Sequence, residues 1–305
     1  MKTMLSMKKC HCLRIVVIFA AILALMAGMV ACEEQPTTTS EIWDWYDLDA
    51  VRDNLSGSHV LMKDIDSTTA GYTELASNTA NQGKGWQPIG TQENAYTGTF
   101  DGQGYEISDL FINHPSEANV GLFGVVDERG LVRNVGVVNA DVTGEWFVGG
   151  LVGYANECTI SNCQSTGSAT GDSYVGGLVG WNRDTVRNCY SLASVTGEWL
   201  VGGLVGHNRG TVSNSYSSGV VSGNEDVGGL VGRNYEAIVS NSFWDSQTSG
   251  QTTSDGGTGK TTAEMKSIAT FTAWDIIAVA PGQTNSAYIW NIVDGETYPL
   301  LSWQS

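Results

Sequence analysis

The chain has 305 residues, of which 38 are glycine and only 5 proline, with 15% charged residues and a formal net charge of −17. Ten tryptophans among 9% aromatics exclude a disordered polar chain. The acidic balance excludes nucleic acid as a partner, because phosphates need a basic surface.

The N-terminus reads as an export signal. Lys2, Lys8, Lys9 and Arg14 lead into an apolar run over residues 15–31, which closes on Met29-Val30-Ala31-Cys32. A cysteine directly after the cut resembles a bacterial lipoprotein signal. Residues 1–31 are therefore the expected signal peptide, Cys32 the lipidation site and residues 32–41 a tether. The alternatives are an ordinary cleaved signal and an uncleaved anchor, for which about 17 apolar residues is short. All three place residues 33–305 outside the cytoplasmic membrane. Cleavage removes four basic and no acidic residues, moving the net charge from −17 to −21. Contact with the membrane is then expected through lipid alone.

Residues 42–119 are expected to close one end of a repetitive fold and to form its first coils. Leu48, Val51 and Leu55 fall on one helical face, with Asp47 placed to cap the start and Gly57 to end it. Strands are expected at residues 59–65 and 97–100, the second followed by the Asp101-Gly102 turn.

Residues 120–245 are repetitive. Val-Gly-Gly-Leu-Val-Gly begins at Val148, Val175, Val201 and Val227, with a degenerate copy at Val120. The starts lie 26 to 28 residues apart. A period near 26 with many Gly, Val, Thr and Ser holds three short strands and tight turns better than helices. One such unit cannot bury an apolar face alone, so the units must stack, joining equivalent strands into parallel sheets about 4.8 Å apart. The expected fold class is all-β, a right-handed parallel β-helix or solenoid with capped ends. Asn134, Asn162, Asn188, Asn214 and Asn241 recur as a column that could form a structural ladder. Gly144, Gly171, Gly197 and Gly223 mark a corner before each motif, where a positive φ or a close approach is needed. Which face of the glycine motif is buried stays open. Strict alternation leaves Leu151 on the wrong side, so the chain must bend at Gly149-Gly150 or carry an outer layer.

Residues 246–305 read as a linker and C-terminal cap. A Ser-, Thr- and Gly-rich loop precedes Thr261 and Glu264, spaced as a helix capping box. Trp274, Trp290, Tyr298, Leu300, Leu301 and Trp303 then supply an apolar cluster.

The Gly-Leu-Val-Gly cores, with Trp86-Gln87-Pro88-Ile89-Gly90 before them and Phe243-Trp244-Asp245 after, resemble the GLUG-motif repeats of bacterial surface and adhesin-like β-helix proteins. That resemblance implies an extracytoplasmic, surface-associated role in adhesion or binding and supplies no catalytic residue.

The chemistry in the residues agrees. Parallel β-helices also carry polysaccharide lyases and hydrolases, and these need clustered carboxylates with a base. Glu145, Asp172 and Glu198 do share a column after the corner glycines, a candidate acidic or calcium site, but the basic residues lie in other columns. The other reading of that column is a row of acids splayed into water. No further metal and no cofactor is expected. Trp146 and Trp199 follow the acidic column by one residue, with Phe147 and Tyr174 in the next, forming a candidate stripe for a surface glycan or a protein. The alternative is that these rings fold back over apolar side chains. Cys163 and Cys189 each follow a ladder asparagine and should be neighbours, placed for a disulfide or as buried thiols. The functional expectation is a non-catalytic adhesion or binding module, with a structural envelope protein as the alternative and a glycan-active enzyme behind both.

Overall fold

The computed structural model describes residues 39–304. The expected signal peptide, Cys32 and the expected tether up to residue 38 lie outside the described residues. Among the described residues no helix is long and apolar enough to cross a membrane.

The chain winds as a parallel β-solenoid. The coil from Trp146 passes through four strands, one more than the sequence implied, and in the next two coils the last of them is divided in two, at Tyr190–Ser191 and Ser194–Thr196 and at Tyr216–Ser217 and Val221–Ser222. The four are Trp146–Gly149, Val152–Ala155, Thr159–Ser161 and Gln164–Thr170. Their equivalents stack into four sheets, here called D, C, A and B in that order. The extra strand arises at the glycine motif. Val148 and Leu151 are both fully buried, so the backbone turns at Gly149-Gly150 rather than running through as one strand. Register is uniform: Val148, Val175, Val201 and Val227 align, as do Val152, Val179, Val205 and Val231.

The motif glycines serve close approach and not left-handed geometry, since none of them has positive φ. A Cβ on Gly180 would lie 2.6 Å from Gly153 O, Phe147 C and Val148 N. Sheets C and D thus pack backbone against backbone, which no other residue permits. The positive φ angles fall elsewhere. All five column asparagines are left-handed, from 46° at Asn241 to 55° at Asn162. Asparagine tolerates that region better than other residues with a Cβ, which explains its choice there. The ladder is shorter than the column. Asn134 donates to Asp101, Asn162 to Asn134 and Asn188 to Asn162, at 3.0 to 3.3 Å. No such amide bond joins Asn214 or Asn241. A second ladder runs through the corner after sheet C, from Asn182 to Asn208 to Asn234, both bonds 2.7 Å.

Cys163 and Cys189 are adjacent in their column, because Gln164 pairs with Tyr190 on the next coil. They are free, buried thiols, as is Cys158. Each column thiol turns along its own coil to a carbonyl, Cys163 Sγ to Ser161 O and Cys189 Sγ to Arg187 O, both 3.2 Å. No disulfide joins them in this structure. Ser215 and Ser242 continue the column with the same bond, at 2.8 Å to Ser213 O and Ser240 O. The position thus selects a small side chain able to reach the carbonyl two residues back.

Both ends depart from expectation. Sheet A begins with Ser40–Ile42, so its first strand starts inside the expected tether. The following helix, Trp45–Asp49, is capped by Asp44, whose carboxylate accepts from Tyr46 N and Asp47 N. Asp47 instead accepts from Trp43 N at 3.0 Å. Buried Trp45 sets this start, its indole donating to Asp66 O and lying 5.7 Å from Trp86. At the other end Thr261 and Glu264 form the expected capping box of helix Thr262–Met265. The aromatic residues beyond it do not close the solenoid. They fold back along its side and pack Trp274, Trp290 and Leu301 against Tyr190, Tyr216 and Phe243 on the outside of sheet B. Closure comes from the preceding loop, where Gly229 N donates to Thr253 O and Val231 N to Ser254 Oγ. An outer layer is therefore present too, on the sheet B side.

Candidate functional site

An organised cluster of aromatic side chains lies where sheets D and C meet. Phe147, Tyr174, Leu200 and Asp226, each directly before a motif valine, all have left-handed φ, between 51° and 59°. Bulky residues avoid that region, so the stacked coils impose a local strain of about 1–2 kcal/mol each. The kink is repeated on every coil of the strong motifs.

There the rings form a continuous group. Phe147 and Tyr174 lie 4.7 Å apart, and Trp181 stacks on both, at 5.2 Å and 27° from Phe147 and 5.6 Å and 21° from Tyr174. Tyr154 joins at 5.2 Å from Trp181, and its hydroxyl receives a 2.9 Å hydrogen bond from Arg183. His207 packs edge-on to Trp181 at 5.5 Å. Burial, with Arg209 and Arg233 nearby, pushes the His207 pKa down to about 4, so the imidazole is neutral at pH 7. The coil after it exchanges rings for charge, with Arg233 paired to Asp226 at 3.5 Å.

Trp146 and Trp199 stand beside this group. Strand pairing puts Trp146, Ser173, Trp199 and Glu225 in one column, and each indole keeps 48% of its surface exposed. The expected stripe is thus assembled as read, but it divides. Phe147 and Tyr174 are half-buried supports, and Trp146 and Trp199 are the rings that face outward. Sequence reasoning missed Tyr154, Trp181 and His207. Their signal was available, since each directly follows the last glycine of a motif copy. Arg183 also belongs to the site, and it lies 5.7 Å from the Trp181 ring.

The acidic column also stacks as read, Asp172 N donating to Glu145 O and Glu198 N to Asp172 O, both 2.8 Å. Among the described residues no three His, Cys, Asp or Glu side chains converge as a metal site, so these carboxylates form an edge beside the indoles. A cavity of about 280 Å³ lies at the seam of the C-terminal segment, lined by Asp64, Glu106, Trp303 and Gln304 among others. Burial and the neighbouring Asp64 raise the Glu106 pKa, but its carboxylate is held by Gln164 at 2.8 Å.

Comparison with known proteins fits this geometry. Over 142 residues, 44% of the chain, it is 37% identical to Halomucin of Haloquadratum walsbyi. Over 111 residues, 35% of the chain, it is 40% identical to a proposed Gly-rich membrane protein of Evansella cellulosilytica. These matches span 2% and 12% of the lengths of the two relatives. A solved structure of a proposed immunoglobulin A1 protease from Bacteroides ovatus shares the fold, with a TM-score of 0.62 at 20% identity over 87% of this chain and 92% of that one. Residues 144–170, 171–196 and 197–222 match the GLUG motif, so the coils that carry the aromatic face are GLUG repeats.

Proposed function

We propose that the chain is a surface lipoprotein, anchored through Cys32, that acts outside the cytoplasmic membrane as a non-catalytic adhesion or binding module. One observation carries the reading: Trp146 and Trp199, half-exposed, stand beside a fixed stack of Phe147, Tyr154, Tyr174 and Trp181. Rings held before contact lose little freedom on binding, which is what makes a recognition surface effective. The relative described as a membrane protein supports a location at the cell envelope.

The test is attachment. The purified full-length chain is immobilised and probed with whole cells, glycan arrays and host-protein arrays, beside a double variant, Trp146→Ala with Trp199→Ala. Specific attachment that the double variant loses supports the reading, and attachment equal to wild type overturns it. Anchoring has its own readout, since Cys32→Ala should release the chain from the membrane fraction and mass spectrometry of wild type should find lipid on Cys32.

A further inference from the structure

The exposed column carries an alternation that the repeat does not require. Gly144-Glu145-Trp146 recurs as Gly197-Glu198-Trp199 two coils later, while the coil between them reads Gly171-Asp172-Ser173. Strand pairing aligns Trp146 with Ser173 and Ser173 with Trp199. Each indole is 48% exposed, and Ser173 is buried. The surface therefore presents two equivalent units, each an outward indole preceded by a carboxylate residue. The coil between them contributes only a small, buried side chain at this position.

We infer that this column binds a neutral, extended, β-linked polysaccharide lying along the solenoid axis; the inference rests on the surface-binding reading above. Two coils rise about 10 Å, close to the repeat of a two-fold ribbon of β-linked sugars, in which every second ring presents the same face. One sugar stacks its C–H face on Trp146, the next spans the intervening coil, and the third stacks on Trp199. Carboxylates only accept hydrogen bonds, and sugar hydroxyls donate them, so Glu145, Asp172 and Glu198 supply acceptors on each of the three coils.

The charges select among glycans. Glu225 continues the tryptophan column, and Asp226 the Phe147 column. Together with the three carboxylates they repel uronate or sulfate groups, so the polymer is neutral. The column decides against a protein. Two discrete stacking faces flanked by carboxylate residues lack the continuous apolar centre of a protein interface. Phe147 and Tyr174, each one residue beyond the column, back it with a rigid layer 4.7 Å from ring to ring.

The test is the length dependence of binding. Neutral β-1,4-linked glucose oligomers of one to six units are titrated calorimetrically into the full-length chain, with oligogalacturonates as the anionic control. Affinity should rise about tenfold from disaccharide to trisaccharide, because only the third ring reaches the second indole. Trp199→Ala should remove that step and keep the disaccharide affinity within about twofold, and Trp146→Ala should do the same. Thermal melts equal to wild type show that the variants are folded. Absence of the step, a step that survives either substitution, or equal binding of the anionic series overturns the inference. If no sugar binds but the double variant still loses attachment to cells or proteins, the glycan assignment fails and the surface-binding reading stands. If attachment is also unchanged, both fail.

Discussion

The solenoid carries two aromatic columns with opposite fates. On sheet B, Tyr190, Tyr216 and Phe243 lie under the C-terminal segment, with the two tyrosine rings 4.9 Å apart and nearly parallel. At the junction of sheets C and D, Phe147, Tyr174 and Trp181 stack at similar distances, and among the described residues no segment lies across Trp146 and Trp199. Both arise from the same cause, since a period of about 26 residues sets equivalent side chains one above another. What separates them is the partner. The sheet B column meets Trp274, Trp290 and Leu301 from its own chain, and so it is a second core. Beside the other column Trp146 and Trp199 stay half-exposed.

That contrast can be broken in graded ways. The largest effect should come from the shared scaffold. Gly180→Ala puts a Cβ 2.6 Å from three backbone atoms of the neighbouring strands, so the coil cannot close. A loss of more than about 4 kcal/mol is expected, seen as failure to show the wild-type melting transition.

Next comes the covered column. Tyr216 is fully buried, lies 6.0 Å from Tyr298 and donates to Pro299 O at 2.8 Å. Tyr216→Ala should cost about 3–5 kcal/mol by denaturant titration and expose the C-terminal segment to protease. If the segment stays protected, it is not held by this column.

Smaller and pH-dependent is the contribution of His207. Its pKa falls from 6.5 to about 4 on folding, so between these values the unfolded chain binds more protons. Stability is full above pH 6.5 and is lost as the pH falls towards 4. The melting temperature should drop across that window, and His207→Gln should remove roughly 2–4 °C of the drop. An unchanged profile would separate His207 from the stability of the ring stack.

The smallest effect on folding belongs to the open column. Trp199→Ala should change stability by less than about 0.5 kcal/mol while reducing attachment. Equal losses in both measurements would make Trp199 a packing residue and erase the difference between the two columns.

Much of this was legible along the chain because parallel stacking preserves sequence period. The spacing of Val148, Val175, Val201 and Val227 yields the coil length, the register and the neighbours of every repeated residue, including Cys163 beside Cys189. It also places Trp146 and Trp199 in one column two coils apart. Local chemistry was readable as well, as in the Thr261 and Glu264 capping box, because three residues suffice to make it. The strand count was not. Whether Gly149-Gly150 bends depends on how closely two sheets approach, and glycine permits the bend without demanding it. Nor does a period reveal which column is covered. The C-terminal residues lie some thirty or more positions beyond the last coil, and only three-dimensional packing brings Trp274 and Trp290 onto Tyr216 rather than onto Trp199. The repeat thus determined who stacks on whom, by fixed spacing along one chain. Burial was decided by the tertiary structure, because it depends on contact between segments that share no period.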